Sequence, residues 1–324
     1  MHAIQIMKTG GPEVLNYTTV ERPSPEADEA LIKIDTCGIN YIDTYHRSGL
    51  YPVELPAILG LEAAGVVEAV GSNVTAFKPG DRVAYPNVPG SYAEYICVPV
   101  IRMVLVPDEL SLELAAASML QGLTGHALTH STYPVDSNSQ VLIHAAAGGA
   151  GQLLVQLCKM KGARVIGTVS TEAKADIAKA AGADDIIFYN DQDFAAETLR
   201  LTDQVGVDVI YDSVGKTTFI AGLDALRRRG TMVLFGNASG APDPVNPALL
   251  MQKGSLFLTR PILFDYIADR TELEMRCADL FGWLIDGKIS IRIDQKLPLS
   301  EAAKAHQLLE GRQTAGKLLL KPYQ

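Results

Sequence analysis

From Val141 to Leu258, short apolar runs alternate with stretches whose apolar residues recur every three or four positions. Runs of the first kind suit strands buried on both faces and the others suit covering helices, so the pattern predicts an α/β fold with a doubly wound parallel sheet. Six strands are expected, at 141–145, 164–169, 185–188, 207–211, 231–235 and 255–258, with helices near 150–161, 171–181, 194–202 and 217–228. Gly162 and Gly182 each close a helical run, where a left-handed cap is wanted, and the crossovers are expected to be right-handed.

The chain before this region reads differently. Short β-like runs at 29–34, 65–70, 82–85, 92–98 and 103–106 are split by Gly and Pro, which predicts a β-rich domain. Its segment Gly38–Tyr51 is rich in polar and aromatic residues directly after an apolar strand, and reads either as a cleft wall or as a solvated loop with two packed tyrosines. Beyond Arg260 come an amphipathic helix near 272–286 and a terminal run, Gly316-Lys-Leu-Leu-Leu-Lys321, that suits a strand returning to the first domain. The expected division is 1–122 with 261–324 for the β-rich domain and 123–260 for the α/β domain, which suits a chain of 324 residues.

Composition narrows the function classes. A hydrophobic content of 48% with 20% charged residues is that of an ordinary soluble globular protein. The net charge of −9 opposes general affinity for nucleic acid, and the basic run Arg227–Arg229 is expected to complement a helix C-terminus rather than to track RNA. No secretory pattern opens the chain and its apolar stretches, such as 112–120, are too short to span a bilayer, so a cytoplasmic protein is expected. Cys37, Cys97, Cys158 and Cys277 form no C-x-x-C pair, and His126 and His130 lack a third ligand, so no metal site is expected.

The most informative chemistry lies in Val141-Leu-Ile-His-Ala-Ala-Ala-Gly-Gly-Ala-Gly151, which joins strand, small-residue turn and helix. Read as G-x-G-x-x-G with Ala146 first, then Gly148 and Gly151, it lets backbone approach a dinucleotide pyrophosphate at a helix N-terminus; close helix–strand packing alone would also explain it. The next predicted strand ends Val169-Ser-Thr171, with Lys174 following and Tyr189 closing the third strand. These offer hydroxyls and a cation where an NAD site usually carries a carboxylate, which favours NADPH, although Glu172 lies nearby and Lys174 also reads as a solvated helix residue.

Several separated motifs occur together: Gly10-Gly-Pro-Glu-Val-Leu15, Gly38-Ile-Asn-Tyr-Ile-Asp43, Gly60-Leu-Glu-Ala-Ala-Gly65, Gly80-Asp-Arg-Val83, Tyr211-Asp-Ser-Val-Gly215, Phe235-Gly-Asn237 and Thr259-Arg-Pro261. With the glycine turn, they resemble the medium-chain dehydrogenase/reductase superfamily, and more narrowly its zinc-independent NADPH:quinone oxidoreductases related to zeta-crystallin. The resemblance implies a Rossmann domain beside a GroES-like catalytic domain, with a quinone reduced in the cleft between them, and a homodimer. It implies catalytic-cleft roles for Asn40, Asp43, Tyr45 and Tyr51. It also implies cofactor contacts from Asn40, Tyr41, Ile42, Thr44, Tyr45, Gly148, Gly149, Ala150, Gly151, Ser170, Thr171, Lys174, Tyr189, Ser213, Phe235, Gly236, Asn237, Arg260 and Arg312. Arg260 and Arg312 could instead pair structurally with acidic groups. Zinc alcohol dehydrogenases of the superfamily place Cys and His where this chain has Asn40 and Leu61, which disfavours a Lewis-acid mechanism. Two other readings stay open: an enone or alkenal reductase of the same fold, and an RNA-binding or structural crystallin-like protein.

Overall fold

The computed structural model describes residues 1–323. The chain divides into two compact units, one made of Met1–Leu123 with the chain from Tyr266 onward, the other of Thr124–Asp265.

The first unit opens with β1 (His2–Ile6), β2 (Asn16–Thr19), β3 (Glu29–Ile39), α1 (Tyr41–Ser48), β4 (Ala57–Ile58), β5 (Glu62–Val70), β6 (Arg82–Pro86), β7 (Tyr95–Pro99), β8 (Val104–Leu105) and, up to Leu123, α2 (Leu112–Ala127). β3 runs five residues beyond its expected end at 34, because β5 and then β16 (Lys317–Lys321) pair with it and carry the ladder past the polar Asp35 and Thr36. The segment read as cleft wall or loop is instead largely a helix, α1. Asp43 accepts the Asn40 N–H at 2.8 Å at its start, and Gly49 closes it in the left-handed region at φ 82°. The apolar stretch at 112–120 belongs to α2, whose Ala115, Ala116, Ala117, Met119 and Leu123 are fully buried.

The second unit contains β9 (Gln140–Ile143), α3 (Gly149–Met160), β10 (Arg164–Val169), α4 (Glu172–Ala180), β11 (Asp185–Phe188), α5 (Phe194–Leu201), β12 (Val207–Asp212), α6 (Phe219–Ala225), β13 (Leu226–Leu234), α7 (Ala248–Gln252) and β14 (Phe257–Thr259). Its six strands are parallel, in the order β11-β10-β9-β12-β13-β14. Strand side chains alternate between faces, and the core divides accordingly. Val141 and Ile143 pack with Leu154 of α3 and Ala175 of α4, while Leu142 packs with Phe194 of α5 and Phe219 of α6. Helices therefore cover both faces, as expected.

Two details correct the sequence reading. The helix expected over 217–228 stops at Ala225, and Leu226–Arg229 enter β13, where Leu226 pairs with Val207 and a register shift accommodates the following residues. Arg227–Arg229 thus do not cap a helix dipole; Arg229 sits at φ 61° and Arg227 hydrogen-bonds Asp208. The strand expected to end at Ala145 stops at Ile143, leaving His144 and Ala145 to begin the turn.

From Tyr266 the chain re-enters the first unit through α8 (Arg270–Ile285), β15 (Ile293–Pro298), α9 (Ala302–Glu310) and β16. β16 pairs antiparallel with β3, in a sheet ordered β15-β16-β3-β5-β6-β8 with β7 also on β3. Ile32, Ile34, Val83, Val98 and Leu320 form its core.

Candidate active site

In the second unit the expected cofactor residues gather at one edge. Ser170 follows β10, Tyr189 follows β11, Ser213 follows β12, Phe235, Gly236 and Asn237 follow β13, and Arg260 follows β14, while the turn after β9 leads to Gly148, Gly149, Ala150 and Gly151 at the start of α3. All lie at the carboxyl ends of parallel strands, and β9 is the strand from which the sheet winds in both directions, the usual ligand-binding place in such a fold.

The turn is built for close approach. Ala145 adopts φ 53°, an uncommon conformation for a residue with a Cβ, and a Cβ on Gly151 would lie 2.2 Å from the Ala145 carbonyl oxygen. Gly148 is the N-cap of α3 and supplies no side-chain cap, so the first-turn N–H groups and the helix dipole favour an anion. A pyrophosphate fits this donor set. At the tip of β10 the Thr171 hydroxyl accepts the Lys174 N–H at 3.3 Å, which starts α4 and places Lys174 on its first turn beside Ser170. Glu172 is exposed on that turn. Arg260 donates to the carbonyls of Leu234 and Gly236, at 3.0 and 3.2 Å, and so fastens the loop after β13. Asp212 organises the adjacent loop, accepting the N–H groups of Val214 and Gly215 at 2.7 and 3.0 Å.

In the first unit Tyr41, Ile42, Asp43, Thr44 and Tyr45 lie on α1, with Asn40 at its N-cap. The rings of Tyr45 and Tyr51 meet edge to face at 5.2 Å, Tyr41 lies 5.8 Å from Tyr45, and His46 lies 5.9 Å from Tyr51. Arg312, just beyond α9, is close enough to Tyr41 to act electrostatically on its hydroxyl.

The same unit holds a buried polar network absent from the sequence reading. Lys317 and Glu62 form a fully buried ion pair, and Asn40 is held between them, its Oδ1 accepting from Lys317 at 2.8 Å and its Nδ2 donating to Glu62 at 2.7 Å. Gly38 makes room for this arrangement, since a Cβ there would stand 2.0 Å from a Glu62 oxygen. The Asp43 carboxylate accepts from Tyr92 Oη at 2.8 Å, Tyr92 Oη lies 3.2 Å from His306 Nε2, and Arg47 lies 3.1 Å from His306 Nδ1. Burial and the neighbouring guanidinium hold the His306 imidazole neutral, its pKa lowered to about 3. Because Arg47 can only donate, the ring proton is assigned to Nε2, so Tyr92 accepts from His306 and donates to Asp43. Burial pushes the Asp43 carboxyl up to about 7.

A zinc ion does not fit these donors. Leu61 has no lone pair, and the Asn40 carboxamide is committed to Glu62 and to an ammonium that would repel a second cation. His126 and His130 stack at 4.2 Å, and among the described residues no group of three or more metal-ligating side chains is gathered.

Fold and site define a two-domain dehydrogenase. Residues 26–108 match the family described as alcohol dehydrogenase GroES-like domain, and residues 149–261 match that described as zinc-binding dehydrogenase. The chain is 46% identical to a quinone oxidoreductase of Pseudomonas aeruginosa, over 98% of this chain and 99% of that one. It is 41% identical to a 2-haloacrylate reductase of a Burkholderia species, over 99% and 98%. The crystal structure of Escherichia coli quinone oxidoreductase complexed with NADPH is similar to it with a TM-score of 0.98 and 44% identity, over 99% of this chain and all of that one. The chain therefore belongs to the quinone oxidoreductase family of the medium-chain dehydrogenase/reductase superfamily.

Proposed function

We infer that the protein reduces quinones with NADPH and without a metal. The observation that carries this reading is the convergence of the expected cofactor residues on the carboxyl edge of one parallel sheet, beside an uncapped, glycine-lined helix start. Relatives named for quinone reduction support the choice of acceptor. Bound NADPH supplies a hydride from its nicotinamide ring, and NADPH, a quinone and one proton give NADP⁺ and the hydroquinone.

The chain's own groups bind and orient. First-turn N–H groups of Gly149 and Ala150 receive the pyrophosphate, while Ser170, Lys174 and Tyr189 surround the 2′-phosphate. Asn40, Tyr41, Ile42, Thr44 and Tyr45 line the nicotinamide end, and Tyr45 and Tyr51 offer ring faces and hydroxyls to a flat acceptor. Thr171 serves through its cap on α4, and Ser213, Phe235, Gly236, Asn237, Arg260 and Arg312 complete the contacts. A cytoplasmic setting suits four cysteines that are all unpaired, and among the described residues no helix is long and apolar enough to cross a membrane. A homodimer is supported by the sheet's edge strand β14, whose Phe257 and Leu258 are 60% and 38% exposed.

Steady-state oxidation of NADPH and NADH against a panel of quinones and α,β-unsaturated carbonyl compounds tests the reading. Quinones are expected to give the highest turnover, with NADPH preferred; a panel in which no quinone stimulates cofactor oxidation overturns it. Lys174→Ala is expected to weaken NADPH binding more than about tenfold, the loss of a charge-assisted hydrogen bond, and to leave NADH binding nearly unchanged.

A further inference from the structure

In the second unit the loops after β12 and β13 are joined through one residue. Asp212, the last residue of β12, is fully buried. Its Oδ1 accepts the N–H groups of Val214 and Gly215, and its Oδ2 accepts the Thr218 hydroxyl at 2.8 Å, which folds 213–218 back over the end of the strand. Its main-chain carbonyl faces the other loop and accepts the N–H groups of Phe235 and Gly236, at 2.8 and 3.3 Å. Beyond it the two loops stay paired. The Ala238 N–H donates to the Ser213 carbonyl at 3.1 Å, the Ser239 N–H to the Val214 carbonyl at 2.8 Å, and the Lys216 N–H to the Gly240 carbonyl at 3.0 Å. The Ser239 hydroxyl donates to the Val214 carbonyl at 2.8 Å and accepts the Thr217 N–H at 3.1 Å. The backbones lie so close that a Cβ on Gly236 would stand 2.4 Å from the Ser213 carbonyl oxygen.

The donors to the Asp212 side chain are all neutral, two main-chain N–H groups and one hydroxyl. The nearby His144 imidazole, at the end of β9, has its pKa lowered by burial and supplies no counter-charge. A buried carboxyl group is tolerated only while its hydrogen bonds are made, so Asp212 and the loop conformation fix one another. Ser213, Phe235, Gly236 and Asn237 all lie within this double loop. We propose that Asp212 is a positioning residue that preforms the seat for the nicotinamide mononucleotide half of NADPH. This rests on the proposed function. There Ser170, Lys174 and Tyr189, after β10 and β11, take the 2′-phosphate of the adenosine half. A dinucleotide that crosses the start of α3 therefore extends its other half toward β12 and β13, the division made by sheets built of two mononucleotide-binding halves. Being fully buried, Asp212 acts through the main chain of 213–215 and 235–236. A seat ordered before binding spares the complex the entropy of ordering two loops.

Dissociation constants of NADPH and of adenosine 2′,5′-bisphosphate, measured on the whole protein by titration calorimetry, test this. The second ligand carries the adenosine and the 2′-phosphate without the nicotinamide half. Asp212→Ala is expected to weaken NADPH binding more than about tenfold and to change bisphosphate binding less than about twofold. Asp212→Asn keeps an oxygen for Val214 and Gly215 and donates to Thr218, whose hydroxyl can turn to the Gly215 carbonyl 3.2 Å away. It is therefore expected to bring NADPH binding back to within about threefold of the parent. Ser239→Ala removes only the hydroxyl between the loops and carries the test should Asp212→Ala fail to fold. It is expected to weaken NADPH binding about threefold or more, again without effect on the bisphosphate. Equal losses for the two ligands, an Asp212→Asn protein no better than Asp212→Ala, or unchanged NADPH affinity in Ser239→Ala overturns the role of Asp212 and leaves the function standing. A parent protein that binds neither ligand overturns both.

Discussion

Lys317 illustrates what a single residue contributes and why it was hard to read. A lysine inside Gly316-Lys-Leu-Leu-Leu-Lys is a charge in a strand otherwise made to be buried, and that mismatch is a signal of a partner. The sequence could not say which partner, because Glu62 stands 255 positions earlier and meets it only through the sheet. Asn40, Asp43, Tyr45 and Tyr51 were named from the family resemblance, but Tyr92, His306 and Arg47, which form a chain of contacts leading to Asp43, have no local pattern. Removing one member of a buried pair leaves the other uncompensated. Lys317→Met is expected to cost about 3–5 kcal/mol in urea unfolding, and adding Glu62→Gln is expected to recover part of that loss. A Lys317→Met protein as stable as the parent would show that the pair carries no such burden.

Elements were legible where periodicity was strong and boundaries local. The six parallel strands and the glycine turn follow from apolar runs and small residues, whereas α1 was missed because its helical start depends on Asp43 reaching back to Asn40. The early end of α6 was missed for the opposite reason: Leu226–Arg228 suit a helix locally, and pairing with β12 overrides them. At the turn before α3 the two glycines differ in a measurable way. A Cβ at Gly151 meets backbone at 2.2 Å, but one at Gly148 meets it only at 3.2 Å. Gly151→Ala is therefore expected to lower the unfolding temperature more than Gly148→Ala, with overpacking of roughly 1–3 kcal/mol, and to weaken NADPH binding by displacing the start of α3. Equal shifts in calorimetry would contradict that geometry.

For the whole molecule, the division into an α/β unit and a β-rich unit was readable from the change of pattern, because each unit buries a core with its own period. Assembly beyond one chain was not, since an exposed edge is a property of the folded sheet. Placing a charge there by Phe257→Lys is expected to shift sedimentation from dimer toward monomer, while a monomeric parent protein would remove the assembly proposal. The return of β16 to β3 has one more consequence. During synthesis on the ribosome, Glu62 and Asn40 emerge long before Lys317, so the glycine-turn unit can fold while the chemistry-bearing end of α1 still lacks its counterion; competence to turn over substrate is acquired only with the closing strand.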